Sequence, residues 1–225
     1  SQLISNGLIC ADNTNYEFIN NKFGVKSNIF SEITPPKISN NYSLVKESKF
    51  IELSWIGIMD DRKGMLLALK IFELLDNSKY KLNVFGEGNK LIKYKKIAAK
   101  KNLNVEFHGK KNREFTLKYL EASKLLLFTS FRDLTATVTV EANSLGVPVI
   151  CLNHCGFGYW LEKKYNIFID VASKNILEDF VYKINLFKPL SEQNKQELKF
   201  KTDQIFSWDK KMEILNKIYY GKSTI

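Results

Sequence analysis

Residues 125–152 read LLLFTSFRDLTATVTVEANSLGVPVICL. The pattern predicts a buried strand (125–129), a polar loop (130–137), a short helix that ends at Gly146, and a second buried strand (147–152). In an open α/β sheet, ligands bind beyond the carboxyl ends of the strands, where the first amides of the following helix have no intrahelical acceptor. The stretch therefore predicts a phosphate site at this helix start.

Two acidic residues, Asp133 and Glu141, lie on either side of that helix start. They could form an acid/base pair like that of glycosidases, or they could be a loop carboxylate and a solvated helix residue. Glu141 is surrounded by Val138, Val140 and Leu145, and a carboxylate in such an apolar setting needs a partner. This setting favours a functional role for the pair.

The composition is that of an ordinary globular protein. The chain has 225 residues, of which 44% are hydrophobic and 26% charged, which predicts one domain or one domain plus a fragment. No apolar run approaches the about 20 residues of a spanning helix, and no signal peptide is recognisable, so we expect a soluble, cytoplasmic chain. Three cysteines, one of them inside a predicted buried strand, favour reduced thiols over a disulfide framework.

The net charge is +10 and comes mainly from lysine. Such an excess could indicate nucleic acid, an anionic membrane surface or a phosphorylated ligand as partner. The lysines are scattered through predicted helices, which favours a solvated surface, with peripheral membrane association as the main alternative. A nucleic-acid-binding module is disfavoured because aromatic residues do not interleave with a basic patch.

The N-terminal part of the chain differs from the rest. Residues 1–31 predict a strand, a helix that ends at Gly24, and a second strand, a unit too small to bury its own faces. We therefore interpret residues 1–34 as a remnant of another domain. Residues 35–49 begin with Pro35 and Pro36, continue as a polar stretch, and are typical of a linker.

Residues 50–225 show a regular alternation of strand and helix patterns. The predicted strands are 50–57, 81–86, 105–109, 125–129, 147–152 and 166–171, and the main predicted helices are 63–75, 91–101, 114–122, 176–187, 191–206 and 208–220. This alternation predicts βαβ units with right-handed crossovers. The predicted fold class is α/β, with a Rossmann-like parallel sheet flanked by helices.

Lys63 lies between the first regular strand and its helix. Gly57 and Gly64 would let the backbone turn there and approach a ligand. A lysine at a helix start opposes the helix dipole unless an anion is present, so this position suits a phosphate ligand and a solvated lysine equally well. Arg62 is interpreted as a surface residue or a supporting ion-pair partner. The loop 153–158 should face the same sheet edge, with its glycines framing the site.

Other motifs give weaker signals. Residues 86–88 read Gly-Glu-Gly, which matches half of a dinucleotide fingerprint but is more typical of a tight turn. His108 and His154 are not in metal-ligand spacing with the cysteines, so we predict no metal site. His108 is expected to have a backbone partner, and its place at a strand end puts Gly109 and Lys110 near any ligand bound there.

The run SFRDLTATVTVEANSLGVPVICLNHCGFG (130–158) resembles the donor-binding core of the GT-B retaining glycosyltransferases of family 4. Its signature is an acidic residue, seven further residues, and then a glutamate before a small-residue helix and a G-[VL]-P-V-I strand. Further landmarks follow the family's order: WIGIMDDRKGMLLALKIF (55–72), LNVFGEG (82–88), VEFHGKKNREFTLKYLEAS (105–123) and FSWDKKMEILNKIYY (206–220). The resemblance covers about 50–220, and residues 1–31 resemble the end of the family's N-terminal domain.

The resemblance implies roles for individual residues. Glu141 would hold the ribose hydroxyls of the nucleotide, and Asp133 would contact the donor sugar or steady charge at its anomeric carbon. The amides of Thr137 and Val138 would bind the distal phosphate. Lys63 would neutralise the diphosphate as it leaves.

The resemblance also implies where the nucleotide base binds, and it shows two positions at which this chain differs from the family's usual residues. The base would lie against the loop that starts with Gly109 and Lys110, and Gly57 would allow close approach of the backbone. Asp133 replaces the commoner glutamate of the family. Ile58 stands where the family usually carries a phosphate-binding arginine, so Lys63 and the helix amides would have to offset more phosphate charge, unless the neighbouring arginine helps.

The implied function is that of the donor-binding, C-terminal half of a retaining hexosyltransferase. No cofactor or metal is implied, and the donor would be a nucleotide-diphosphate sugar, with a UDP-sugar favoured. The acceptor would be a glycan or lipid-linked molecule in the synthesis of a bacterial surface polysaccharide, such as lipopolysaccharide or capsule, at the inner face of the cytoplasmic membrane. The alternatives are a non-hydrolysing sugar-nucleotide epimerase and a non-catalytic nucleotide-sugar-binding subunit.

Overall fold

A computed structural model describes residues 8–10, 13–24, 27–31, 33, 48–133 and 136–220. All but the last two residues of the predicted linker lie outside these ranges. The described elements are β1 (Leu8–Cys10), α1 (Asn13–Phe23), β2 (Ser27–Ile29), β3 (Ile51–Ile56), α2 (Met65–Leu74), β4 (Tyr80–Phe85), α3 (Leu91–Lys100), β5 (Val105–Gly109), α4 (Arg113–Ala122), β6 (Leu125–Phe128), α5 (Thr137–Ser144), β7 (Val149–Leu152), α6 (Phe157–Trp160), β8 (Ile167–Ile169), α7 (Ile176–Leu186), α8 (Glu192–Phe206) and α9 (Trp208–Tyr220).

Six parallel strands form the main sheet in the order β5-β4-β3-β6-β7-β8. Successive strands step outward from β3 on one side and outward from β6 on the other. The strand order therefore reverses between β3 and β6, and in open α/β sheets such a switch point forms a crevice at the carboxyl edge. The predicted α/β fold class with a parallel sheet is confirmed.

Both faces of the sheet are covered by helices, and the central strand β6 is apolar on both sides. Along β6, Leu125 and Leu127 belong to the core shared with α2, α3 and α7. Leu126 and Phe128 belong to the opposite core, which includes side chains of α4, α5 and α6. The continuous apolar run in the sequence follows from this two-sided burial of a parallel strand.

A pair of buried asparagines anchors helix α5 to the sheet. Asn143 and Asn166 exchange side-chain hydrogen bonds of 2.9 and 2.8 Å, and the Asn166 side chain also accepts from the Val149 N–H at 2.8 Å. Each buried amide is thereby satisfied, which makes the arrangement geometrically specific. This contact sets the position of α5 and of Glu141 on it.

The N-terminal strand, helix and second strand form as predicted, with β1 and β2 paired in a separate two-stranded parallel sheet. The unit is tied to the main domain through Ile33, whose carbonyl accepts from the Lys211 ammonium. The Ile33 side chain also packs in a small cluster with Val140 and Phe206. The interpretation of residues 1–34 as a remnant of another domain stays a prediction.

The boundaries differ from the sequence prediction mainly at helix starts. The helix predicted over 63–75 begins at Met65, because Gly64 is its N-cap with a left-handed backbone (φ 70°). Lys63 consequently lies in the loop and not in the helix. None of the described helices is long and apolar enough to cross a membrane.

Replacing Gly64 by alanine should destabilise the domain more than the same change at Gly109. Both glycines have φ near +70°, but a Cβ at position 64 would lie 2.0 Å from the Thr129 carbonyl oxygen, whereas one at position 109 meets nothing within 4 Å. We expect a loss of about 1 kcal/mol for Gly109→Ala from backbone conformation alone, and about 1–3 kcal/mol more for Gly64→Ala. Urea unfolding followed by circular dichroism measures both. Equal losses would contradict this description of the loop.

Candidate functional site

The loops that follow β3 and β6 are bonded to each other at the crevice. The Phe131 N–H donates to the Arg62 carbonyl at 2.8 Å, and the Thr129 hydroxyl donates to the Gly64 carbonyl at 2.9 Å. The Trp55 indole in turn donates to that hydroxyl at 3.0 Å from within β3. These bonds hold the two loops in one fixed arrangement.

Lys63 and Asp133 are brought together by these loops. The Lys63 ammonium donates to Asp133 Oδ2, and the side chains are only 16% and 15% exposed. The sequence placed both residues at this edge but did not predict their pairing. Because an ammonium has three N–H donors, Lys63 can contact Asp133 and a further anion at the same time.

Glu141 has a cationic partner from a different element. Arg113, the first residue of α4, donates from Nε at 3.0 Å and from Nη2 at 2.6 Å, both to Glu141 Oε1. The Glu141 side chain is 14% exposed and that of Arg113 is 62% exposed. The predicted need for a partner is confirmed, but sequence reasoning missed its identity. The available signal was the position of Arg113 at a helix start, where that helix gains nothing from a cation.

Thr137 and Val138 form the first turn of α5. The N-cap is Ala136, which has a left-handed backbone (φ 44°, ψ 44°) and makes no side-chain capping bond. The first amides of an α-helix lack intrahelical acceptors, and within the described part of the chain no capping side chain supplies one here. The helix start therefore suits an anion.

A cleft of about 380 Å³ lies at the carboxyl ends of β3 and β4 and beside the loop after β5. It brings together Gly57 and Lys110, directly after Gly109 at the end of β5. The Lys110 ammonium lies 3.0 Å from Glu87 Oε1, so part of its charge is balanced within the cleft. The predicted site residues thus fall into two sets. Gly57 and Lys110 line this cleft, whereas Lys63, Asp133 and Glu141 belong to the ion pairs described above. The cleft is lined by Ile56, Gly57, Ile58, Phe85, Gly86, Glu87, Lys110, Lys111 and Thr116.

Ile58 lines this cleft and is 56% exposed, so it presents an apolar surface. Arg62 does not occupy its place. One Arg62 N–H donates to the Arg132 carbonyl at 3.0 Å, and the other end of the guanidinium lies 3.7 Å from Asp60. Arg62 therefore supports the loops beside Lys63.

The Gly-Glu-Gly segment (86–88) packs against the loop after β3, where the Met59 N–H donates to the Glu87 carbonyl at 2.9 Å. It is a closely packed turn, as the sequence favoured. The backbone partner expected for His108 is wrong: its Nε2 lies 3.0 Å from the Asn83 side-chain oxygen, and its ring stacks on Phe85. Burial lowers the pKa of His108. Among the described residues, no group of three side chains is arranged to hold a metal.

The loop after β7 forms a second and larger cavity, of about 820 Å³. Gly156 and Gly158 line this cavity, and the expectation that they frame the phosphate site stays a prediction. His154 Nε2–H donates to the Ser130 carbonyl at 3.0 Å, which ties the loop to the one after β6. Burial lowers the pKa of His154, and its buried Nδ1 has no partner among the described residues.

Comparison with known proteins identifies the family. Residues 40–199 match the family described as glycosyl transferases group 1. The chain is 27% identical over 150 residues to digalactosyldiacylglycerol synthase 1 of Glycine max, and 30% identical over 113 residues to an uncharacterised 41.2 kDa protein in the cps region of Klebsiella pneumoniae. These alignments cover 64% and 50% of this chain but only 18% and 30% of those proteins.

Several solved protein structures have the same fold. TarM superposes with a TM-score of 0.77 at 24% identity, over 96% of this chain and 43% of TarM. The lipopolysaccharide outer core galactosyltransferase WaaB gives 0.77 at 14% identity, over 96% of this chain and 62% of WaaB. Anabaena HepE in complex with UDP-glucose gives 0.73 at 12% identity, over 95% and 63% of the two chains. The family match, together with this shared GT-B fold, shows that the chain belongs to the group 1 glycosyltransferases.

Proposed function

We propose that this chain is the donor-binding half of a retaining family 4 hexosyltransferase and binds a nucleotide-diphosphate sugar. One observation carries the proposal. At the point where strand order reverses, α5 begins shortly after Asp133, the ion-pair partner of Lys63, carries Glu141 in its second turn, and has no capping bond from the side chain of its N-cap residue. Amides and an ammonium suit anionic phosphates, whereas carboxylates suit the neutral hydroxyls of ribose and sugar.

Each residue has a role in this proposal. Glu141 accepts hydrogen bonds from the ribose hydroxyls. The amides of Thr137 and Val138 bind the distal phosphate, and Lys63 contacts the diphosphate. Asp133 contacts the donor sugar and, through its ion pair, holds Lys63 in place.

The base occupies the 380 Å³ cleft in this proposal. Gly57 and Lys110 line this cleft, and Gly109, directly before Lys110, ends β5 beside it. Ile58 supplies apolar surface for the base in place of a charge for the phosphates. The absence of a cation at this position leaves Lys63 and the first turn of α5 with more of the diphosphate charge.

The reaction we propose depends on stabilising the leaving group. Departure of a nucleoside diphosphate concentrates negative charge on the oxygen that leaves the anomeric carbon. Prearranged donors aimed at such a charge are usually the largest catalytic contribution. The Lys63 ammonium and the α5 amides supply these donors, so the proposal requires no metal and no other cofactor.

The choice of donor and acceptor rests on similar proteins. HepE was solved with UDP-glucose, and a mutant of S. aureus TarM was solved with UDP and alpha-GlcNAc-glycerol. WaaB acts on the lipopolysaccharide outer core, and one relative is encoded in a cps region. We therefore propose a UDP-sugar donor, a glycan or lipid-linked acceptor of a bacterial surface polysaccharide, and an N-terminal domain that supplies the acceptor side.

We also propose a cytoplasmic location with peripheral contact to the membrane. The surface of α3 carries Lys93, Lys95, Lys96 and Lys100, and none of them forms a salt bridge with a carboxylate of the described residues. Lysines near an anionic leaflet contribute about 1 kcal/mol each. Wild type should sediment with vesicles that contain phosphatidylglycerol, and a Lys95→Glu/Lys96→Glu variant should not. Equal sedimentation of the two proteins, or none of wild type, would contradict this part of the proposal.

UDP should bind to this chain through Glu141 and Lys63. Hydrogen bonds to charged groups contribute about 1.5–3 kcal/mol, so Glu141→Ala and Lys63→Ala should each weaken UDP binding by about 10- to 100-fold. Calorimetric titration with UDP, GDP and ADP measures this, and UDP should bind best. Lys101→Ala is the control, since it removes a surface ion pair with Glu73 on the α2 and α3 side of the sheet. Unchanged affinity in both site variants would refute the site assignment.

The chain alone should bind the donor without efficient transfer. A donor half lacks the groups that position an acceptor, so UDP release from UDP-glucose with glycan acceptors should be no faster than for Glu141→Ala. A coupled assay for UDP measures the release. Rapid UDP release by the wild-type chain, without another domain, would contradict the proposal that this chain is only the donor-binding half of the enzyme. Conversion of UDP-GlcNAc to its 2-epimer, detected by NMR, would instead support an epimerase.

A further inference from the structure

We propose that Arg113 is a positioning residue that determines how strongly the site recognises ribose. It holds Glu141 by one oxygen and leaves the other oxygen to accept hydrogen bonds from the ribose hydroxyls. This inference deepens the proposed function and rests on it. It assigns the ribose specificity to a pair of residues from two helices.

The hydrogen bonds between Arg113 and Glu141 converge on one atom. Nε and Nη2 both donate to Oε1, at 3.0 and 2.6 Å. A fork-to-fork pair between arginine and a carboxylate would engage both carboxylate oxygens. Here no donor of the described residues contacts Oε2. An ionised carboxylate accepts through both oxygens, so Oε2 keeps its capacity for a neutral hydroxyl.

The surroundings of Glu141 explain why it needs a permanent partner. Its side chain is 14% exposed, and its chain neighbours Val140 and Ala142 are fully buried. A carboxylate in such a setting is unfavourable without a charge or a hydrogen-bond donor beside it. Arg113 supplies both and thereby holds the Glu141 side chain in one orientation before any ligand arrives.

The position of Arg113 points to the ligand and not to helix stability. It follows the N-cap Asn112, whose side chain already accepts from the Phe115 N–H at 2.8 Å. A cation in the first turn opposes the helix dipole, so α4 itself does not favour arginine there. One turn further along, Thr116 lines the 380 Å³ cleft. Arg113 therefore lies between the proposed base cleft and the proposed ribose ligand.

If Arg113 positions Glu141 for ribose, its loss should weaken binding of UDP but not of a nucleotide without ribose hydroxyls. A purely structural role of Arg113 would not predict this difference. Wild type should bind UDP at least about 10-fold more tightly than 2′,3′-dideoxy-UDP, because only UDP donates hydroxyls to Glu141. In Arg113→Met this preference should fall to about 3-fold or less, through weaker binding of UDP with little change for the dideoxy compound. Arg113→Lys keeps the positive charge but loses the paired N–H donors of the guanidinium. Its preference for UDP over the dideoxy compound should therefore lie between that of wild type and that of Arg113→Met.

The experiment is calorimetric titration of both nucleotides into wild type, Arg113→Met, Arg113→Lys and Lys164→Met. Lys164 is the matched control: it is a surface cation paired with a glutamate, Glu197, at 3.0 Å on the α8 side. Lys164→Met should keep both affinities. Urea unfolding of the same samples confirms that the variants are folded; Arg113 is 62% exposed, so its loss should not unfold the domain.

The outcomes separate the two proposals. If wild type does not bind UDP, the proposed function fails and the Arg113 inference fails with it. If wild type prefers UDP over the dideoxy compound and both Arg113 variants keep that preference, only the inference is overturned. If Arg113→Met weakens both nucleotides equally, Arg113 acts on the base or the phosphates and the ribose assignment is wrong.

Discussion

The site depends on the reversal of strand order between β3 and β6. These two buried parallel strands lie side by side, but their chains continue to opposite sides of the sheet. In open α/β sheets such a switch point forms a crevice at the carboxyl edge, where backbone amides and side chains are exposed. Hydrogen bonds between the loops, such as that from Phe131 to Arg62, then give the crevice a defined shape.

Charge balance is the second constraint on this crevice. Each acid that borders the start of α5 has a cation from another element: Lys63 pairs with Asp133, and Arg113 pairs with Glu141. Paired charges in a partly buried site avoid the cost of an isolated ion. They also orient both acids before a ligand binds, so ligand binding costs less side-chain conformational entropy. A diphosphate would add negative charge where the amides of α5 and the Lys63 ammonium can receive it.

The sequence predicts the main sheet well because each strand has a strong local signal. The run Leu125–Phe128 is apolar throughout, as a strand buried on both faces must be, and the helices between strands keep their spacing. An arginine at a helix start is a local signal, but its pairing with Glu141 could not be predicted, because Arg113 is 28 residues away along the chain and meets Glu141 only through packing of α4 near α5. Likewise, nothing local shows that the glycines after β7 line the 820 Å³ cavity, since that depends on where α6 and α8 pack.

The central claim is that a nucleoside diphosphate binds at the start of α5 and not elsewhere on the sheet edge. A crystal structure of this chain with UDP tests it most directly. The account predicts the ribose hydroxyls at Glu141 Oε2 and the distal phosphate at the amides of Thr137 and Val138. UDP bound instead in the 820 Å³ cavity beside His154 would contradict it.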